Sequence, residues 1–350
     1  KLQGFFGHKA GELASTEITR ASALYYAKET DLMSTEVHFM NYWKEKRGLI
    51  GLILQTTIRS CDGNVIQQEK YPVDFIGGRI IKIRDLLIKS NHSGDFEGSI
   101  EVEFFSEKNM FFGYAATVVR YVGKDWHSMA HTCSRFLDKR SGDSVERIES
   151  VQMVSEGNWT VFPEHDFDTF FIIHNGPNSV EKHDMMLSLE NYSGELNRIV
   201  VPNVSWAAYQ TRFLRLSEFM EVYDHLAGQP GTLVVETLVS GVFPRMVVGT
   251  IRKSNLALSV DHSNFMYTNA EGHADTFPAV NDPSLKDLGM TVPTPTGPDW
   301  SCFIDIYPTF PDTDYQIHLK YMDDRGVALK EMQSTLATLP TDRFRRINIT

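Results

Sequence analysis

The strongest constraint on this chain is a pattern of turn and strand residues that recurs about every 132 residues. Gly63, Gly194 and Gly326 lie in polar turn segments and are spaced 131 and 132 residues apart. Each turn lies between runs in which apolar and polar residues alternate, which indicates half-buried strands. A glycine at such a turn supplies the positive φ that tight hairpins require. The spacing therefore predicts repeated β-hairpins within a larger repeated unit.

Further blocks keep the same order at nearly the same spacing. Phe39, Phe171 and Phe303 each lie in a short apolar run and are separated by 132 residues both times. Self-similarity at a fixed period is the usual sign of a repeat architecture. We therefore predict two tandem copies and a partial third that ends after residues 343–347. Three more block pairs link the first two copies: 79–87 with 212–220, 98–102 with 231–235, and 128–132 with 259–263.

The repeat predicts a mainly β fold of tandem two-sheet β-sandwich domains, Ig-like or jelly-roll-like, with short helices. A closed barrel is the alternative architecture. Short helices are expected near residues 85–89 and 217–223, and a longer one in residues 11–28, where apolar residues recur at helical spacing. The predicted divisions are a partly helical N-terminal segment (1–33), a first sandwich (34–165), a second sandwich (166–298) and a partial third repeat (299–350).

Charge and cysteine content limit the classes of partner. The chain has 34 Lys and Arg against 45 Asp and Glu, a net charge of −11, so we predict no nucleic-acid partner. The three cysteines are scattered and do not form a disulfide framework. No apolar run approaches the roughly 20 residues that cross a bilayer, so no membrane span is expected. No cofactor fingerprint occurs, and we predict no cofactor.

Five Asn-X-Ser/Thr sequons favour an extracellular or cell-surface location over a cytoplasmic one. The chain begins with Lys1 rather than Met, which is compatible with an export signal removed upstream. The sequon asparagines are Asn91, Asn158, Asn191, Asn203 and Asn348.

A Ser-x-x-His block is the one polar pattern that two copies share. It places Ser128 with His131 and Ser259 with His262. One interpretation makes the histidines catalytic or ligand-binding groups beside a hydroxyl. The other makes them hydrogen-bonded architecture, which repetition in tandem favours. His127 and His131 also resemble a metal pair, but four residues along a strand span about 13 Å, too far for one zinc ion, and we predict no metal site.

Other candidate sites are less patterned. Trp126 lies beside a turn, where an aromatic ring can stack on a sugar. His273 and Asp275 gather possible ligands in a loop. Glu101 and Glu103 form a carboxylate pair, but they alternate with apolar residues, and we expect them on an outer strand face. The predicted ligand-binding candidates are Trp126, Ser128, His131, Ser259, His262, His273 and Asp275.

These patterns favour a non-catalytic modular protein with a surface or glycan-related binding or scaffolding role. The partner would be a saccharide or another protein, and an oligomer is possible. The alternative is an enzyme acting on a carbohydrate or metabolite, with its site at the junction of the two complete repeats and His131 or His262 as catalytic residues.

Overall fold

Antiparallel strands make up most of the described chain. The computed structural model describes residues 17–113, 115–131, 137–141, 144–148, 151–241, 246–265, 301–307, 314–315, 319–322, 325, 327–332, 339–340 and 343–348. The prediction of a mainly β fold is confirmed. The four larger sheets have a four-blade, propeller-like arrangement, so the finer prediction of two-sheet sandwich domains stays a prediction.

The first group of strands forms two sheets. One has six strands in the order β10-β9-β1-β6-β3-β4, and the other has four in the order β5-β2-β7-β8. Two helices, α1 (Tyr42–Arg47) and α2 (Ile83–Lys89), connect them, and α2 occupies the region of the first predicted short helix. The strands are β1 (Glu17–Glu29), β2 (Met33–Met40), β3 (Leu52–Ser60), β4 (Val65–Val73), β5 (Gly78–Lys82), β6 (Phe96–Phe105), β7 (Thr117–Gly123), β8 (His127–Ala130), β9 (Leu137–Ser141) and β10 (Ser144–Ile148).

The second group repeats this strand order. Its sheets run β14-β13-β16-β11-β19 and β15-β12-β17-β18, so β11 to β18 take the places of β1 to β8. A 3₁₀ turn (Leu216–Glu218) and α3 (Val222–Leu226) lie where the second short helix is predicted. Its first strand, β11, falls in the segment predicted as the first repeat, yet it pairs with β16 and β19. The strands are β11 (Val151–Val161), β12 (Phe167–His174), β13 (Val180–Glu190), β14 (Leu196–Trp206), β15 (Thr211–Arg215), β16 (Gly231–Ser240), β17 (Val247–Arg252), β18 (Leu258–His262) and β19 (Asn264–Phe265).

The C-terminal part contributes short strand pairs. β20 pairs with β25, β21 with β24, and β22 with β23. Their bounds are β20 (Phe303–Ile306), β21 (Asp314–Tyr315), β22 (Leu319–Met322), β23 (Ala328–Met332), β24 (Leu339–Pro340) and β25 (Arg345–Asn348).

The helix predicted over residues 11–28 is wrong for its described part. Residues 17–29 form β1, which pairs with β6 on one side and β9 on the other. β1 is buried almost throughout, so apolar and small residues occur on both of its faces. The alternation that marks a half-buried strand is then lost, and the remaining apolar spacing resembles a helix.

The predicted hairpin turns are confirmed at the two described glycines. Gly63 joins β3 to β4 with φ +88°, and Gly194 joins β13 to β14 with φ +87°. The first turn also contacts the second group, because the Thr211 N–H donates to the Cys61 carbonyl over 2.9 Å.

The two groups share their hydrophobic packing through β12. Phe170 and Ile172 point into the core of the first group, which is built mainly from β1, β2, β3, β6 and β7. Phe171 and Ile173, on the opposite face, belong to the second core. Phe213 of β15 extends the contact, with its ring stacked on Phe170 at 4.7 Å.

Replacing Gly63 by alanine should test this contact between the groups. A Cβ on Gly63 would lie 2.3 Å from the Ala208 carbonyl oxygen, whereas a Cβ on Gly77, also at positive φ (+98°), meets open space. We expect G77A to cost about 1–2 kcal/mol from backbone strain and G63A to cost about 1–3 kcal/mol more from the clash. Urea unfolding of both variants measures the difference, and equal losses would contradict the packing described.

Candidate functional site

The edges of two sheets meet where the shared Ser-x-x-His blocks lie. β8 is the last strand of its sheet and β18 the last of its own, and the two are in contact. The Val260 N–H donates to Ser128 Oγ over 2.9 Å, so the hydroxyl of one block binds the backbone of the other. The Ser128 hydroxyl therefore has a structural partner, while Ser259 is exposed on β18.

This junction brings His131 and His262 together. Their ring centroids are 4.8 Å apart, with the rings at 80° to each other. His131 follows directly after β8 and is exposed, whereas His262 ends β18 and is half-buried. The two predicted catalytic candidates thus form one pair at the junction of the two groups.

Asp261 joins this pair, and the sequence analysis did not identify it. The ligand atoms of His131, Asp261 and His262 all lie within 4.8 Å of one another. The counterpart of Asp261 in the first block is Ala130, so comparison of the blocks gave no signal for a shared carboxylate. The mismatch itself was the available signal, because it marks a polar residue that only one copy carries.

Backbone contacts orient the His262 ring. Its Nδ1 donates to the Ser263 carbonyl oxygen over 2.7 Å, which leaves Nε2 as the acceptor nitrogen of the neutral ring. The His262 N–H in turn donates to Asp261 Oδ1 over 2.8 Å. We name these three residues, His131, Asp261 and His262, the junction triad.

The remaining predicted ligand-binding residues do not join the triad. Trp126 is half-buried and covers Gly123, where a Cβ would lie 2.2 Å from the indole. Its ring therefore serves the packing of the β7–β8 turn. His273 and Asp275 lie outside the described residues.

Glu101 and Glu103 are not on an outer strand face, which corrects that prediction. Both side chains are almost fully buried on β6. Arg20 Nη2 lies 2.8 Å from Glu103 Oε1 and 3.3 Å from Glu101 Oε1. Arg59 Nη1 lies 2.8 Å from Glu101 Oε2.

The second group covers this charged face. The Arg59 guanidinium lies over the Tyr209 ring, 4.1 Å from its centroid. Alternation along β6 does indicate two different faces, but the polar face is buried by contact with the second group and neutralised by two arginines. Its charges are paired within the fold, so this cluster is structural and we place no ligand there.

Burial and the neighbouring Glu103 carboxylate raise the pKa of Glu101 to about 7, against the opposing effect of Arg59 and Arg20. A carboxyl whose pKa is higher in the folded than in the unfolded chain favours folding at low pH, and this contribution is lost as pH rises through the folded pKa. Ionisation of Glu101 should therefore lower the free energy of unfolding progressively as the pH rises from about 4.5 to 7.

The substitution E101Q tests this titration. The neutral amide cannot ionise, so the stability of E101Q relative to the unsubstituted protein should improve by up to about 3 kcal/mol between pH 5 and pH 8. Urea unfolding at both pH values measures the change. E97Q, on the same strand with a half-exposed carboxylate, is the control. A relative stability of E101Q that does not change with pH would contradict the buried charge.

A second feature is an open groove between the edge strands β4 and β5 and the helix α2. It encloses about 420 Å³, and we call it the β4–β5 groove. An apolar depression of about 440 Å³ adjoins it across Tyr71 and Pro72. The groove includes aromatic, apolar and charged side chains, among them Tyr71, Pro72, Phe75, Glu69, Arg79, Lys82, Asp85 and Lys89.

The sequence analysis missed this groove because its residues come from three elements that are separated by turns. Tyr71 lies near the end of β4, Phe75 in the following loop, and Lys89 at the end of α2. The available signal was the local density of rings and charges in residues 69–89.

The sequons differ in accessibility. Asn91, Asn203 and Asn348 are exposed. Asn191 is buried, and its amide nitrogen donates to the His225 carbonyl over 3.2 Å and to Glu195 Oε2 over 3.3 Å, so attachment of a glycan would remove one of these hydrogen bonds. Asn158 is half-buried within β11.

Comparison with known proteins adds no identification. Neither a protein-family model, nor a curated protein, nor a solved structure matches this chain. Among the described helices, none has the length and apolar character needed to cross a membrane.

Proposed function

We propose that this chain is a non-catalytic binding protein that holds a saccharide in the β4–β5 groove. The observation that carries the proposal is the combination of aromatic rings and charged groups in an open groove. Saccharides bind proteins by stacking their apolar faces on flat rings while their hydroxyls accept and donate hydrogen bonds.

The groove offers both kinds of contact. Tyr71 and Phe75 are half-buried, and Pro72 between them is exposed, so the floor is apolar. The Arg79 guanidinium lies over the Phe75 ring, 4.5 Å from its centroid, and presents a strong hydrogen-bond donor in the groove. Lys89 and Glu69 pair across 2.8 Å at the rim and present further polar atoms.

The shape of the groove favours an extended ligand. It runs along two strand edges instead of closing into a deep cavity, and β4 and β5 are each the outermost strand of their sheet. A chain-like partner can follow such an edge over several residues. This supports a binding or scaffolding role more than a catalytic one, because catalysis draws on a site that excludes water.

We further infer that the two sheet groups are copies of one unit, each a two-sheet sandwich. Their matching strand orders support this, as do the recurring sequence blocks. Exposed sequons at Asn91, Asn203 and Asn348 support an extracellular or cell-surface location, where saccharide partners are common. A protein in place of a saccharide is the alternative partner, and a chain that binds no saccharide would favour it.

A glycan array followed by calorimetry tests the proposal. We expect binding to at least one saccharide class, and a loss of about 5- to 30-fold in affinity for Y71A or F75A, since removing one stacking ring costs about 1–2 kcal/mol. F111A is the matched control, because Phe111 is an exposed ring (61%) outside the groove. Binding to no saccharide, or equal affinity in all three variants, would overturn it.

A second candidate function is an enzyme whose site is the junction triad. The pairing of His131 with His262 beside Asp261 specifically favours it, because two imidazoles and a carboxylate can move protons. Hydrolysis of a panel of glycosides should then fall by about 100-fold or more in H131A and H262A. Absence of hydrolysis, or variants that change only thermal stability, would contradict the enzymatic function.

A further inference from the structure

We infer that the junction triad is a binding site for a divalent transition metal of the zinc type, held between the two sheet groups. This departs from the sequence prediction of no metal site, which considered His127 with His131 along one strand and the loop that contains His273 and Asp275. The structure instead combines His131 from the first group with Asp261 and His262 from the second. The inference is independent of saccharide binding in the β4–β5 groove.

The ligand set selects the class of metal. Two imidazoles and one carboxylate suit zinc, cobalt, nickel or copper, whereas calcium and magnesium prefer sites built from oxygen alone. Three protein ligands would leave at least one position for water. The exposure of His131 and Asp261 gives a metal ion direct access from solvent.

The hydrogen bond of the His262 ring fixes the tautomer that a metal ligand requires. A ligating histidine usually donates its other ring nitrogen to a carbonyl or carboxylate, which fixes the tautomer and the ring plane. His262 does so through Nδ1 to the Ser263 carbonyl, so Nε2 carries the lone pair. This partner is itself held firmly, since Ser263 is buried and its N–H donates to the Met246 carbonyl over 3.0 Å.

The three ligand atoms of the junction triad would have to move only slightly closer together to bind one ion. Ligand atoms on a tetrahedral zinc ion lie about 3.4 Å apart, given bond lengths of about 2.0–2.1 Å. The triad atoms lie within 4.8 Å of one another. His131 is exposed, so a rotation of its side chain can shorten the gap without moving β8 or β18. Asp261 keeps Oδ2 for the metal, while its Oδ1 accepts a hydrogen bond from the backbone N–H of His262.

A metal at this position would join the two groups. Its ligands follow or lie on β8 and β18, the two edge strands that the Val260–Ser128 hydrogen bond also links. A ligand that binds the folded chain and not the unfolded one stabilises the fold by RT ln(1 + [L]/Kd), which grows with the logarithm of the ligand concentration above Kd. Metal binding should therefore raise the thermal unfolding temperature through the junction.

Titration with Co²⁺ tests the inference directly, because the visible absorption of cobalt reports its ligands. We use the untagged full chain and expect one equivalent to bind. H131A, H262A and D261N should each weaken Co²⁺ binding by at least about tenfold. H127A is the matched control: His127 is an exposed histidine on the same strand, β8, and is not a member of the triad. Absence of Co²⁺ binding, or unchanged affinity in H131A and H262A, would overturn the site.

Thermal unfolding with and without Zn²⁺ separates metal binding from folding defects. Metal-free H131A also loses the ring contact with His262, so its own metal-free unfolding temperature is the reference for the effect of Zn²⁺. Zn²⁺ should then raise the unfolding temperature of the unsubstituted chain and H127A, but not of H131A. An equal rise in H131A would contradict the inference.

Discussion

The packing of β12 between two hydrophobic cores is the interaction on which the rest of the structure depends. Phe170 and Ile172 enter the first core and Phe171 and Ile173 the second, so one strand ties both groups together. A strand that is buried on both faces stabilises the fold on both, because apolar surface is removed from water on each face. The position of β12 also determines that of its sheet partner β17 and, through it, of β18, whose edge meets β8.

This contact explains the buried charges of β6. The second group reaches the polar face of the first through Phe213, which lies 5.5 Å from Tyr26, and through Tyr209 over Arg59. Glu101 and Glu103 lose their hydration on folding, and their ion pairs with Arg20 and Arg59 compensate for that loss. Removing one member of such a cluster leaves an unpaired buried charge, which is why its residues act together rather than as separate pairs.

The features that could be predicted from the sequence are those that depend on residues close together in the chain. The turns at Gly63 and Gly194 follow from a local need for positive φ. The strand β1 was predicted as a helix, because burial on both faces removes the alternation that local reasoning uses. The burial of Glu101 and the encounter of His131 with His262 depend on contacts between residues more than 100 positions apart, about which periodicity carries no information.

The junction triad shows how a repeated motif and an unmatched residue combine. The Ser-x-x-His block alone suggests architecture, and Ser128 does hold the backbone of the other block. Yet the same contact places the two histidines side by side at the ends of the two edge strands. Asp261, where the other block has Ala130, then supplies a carboxylate on one side only. Two groups of strands that meet edge to edge thereby produce an asymmetric set of ligands, which neither group carries by itself.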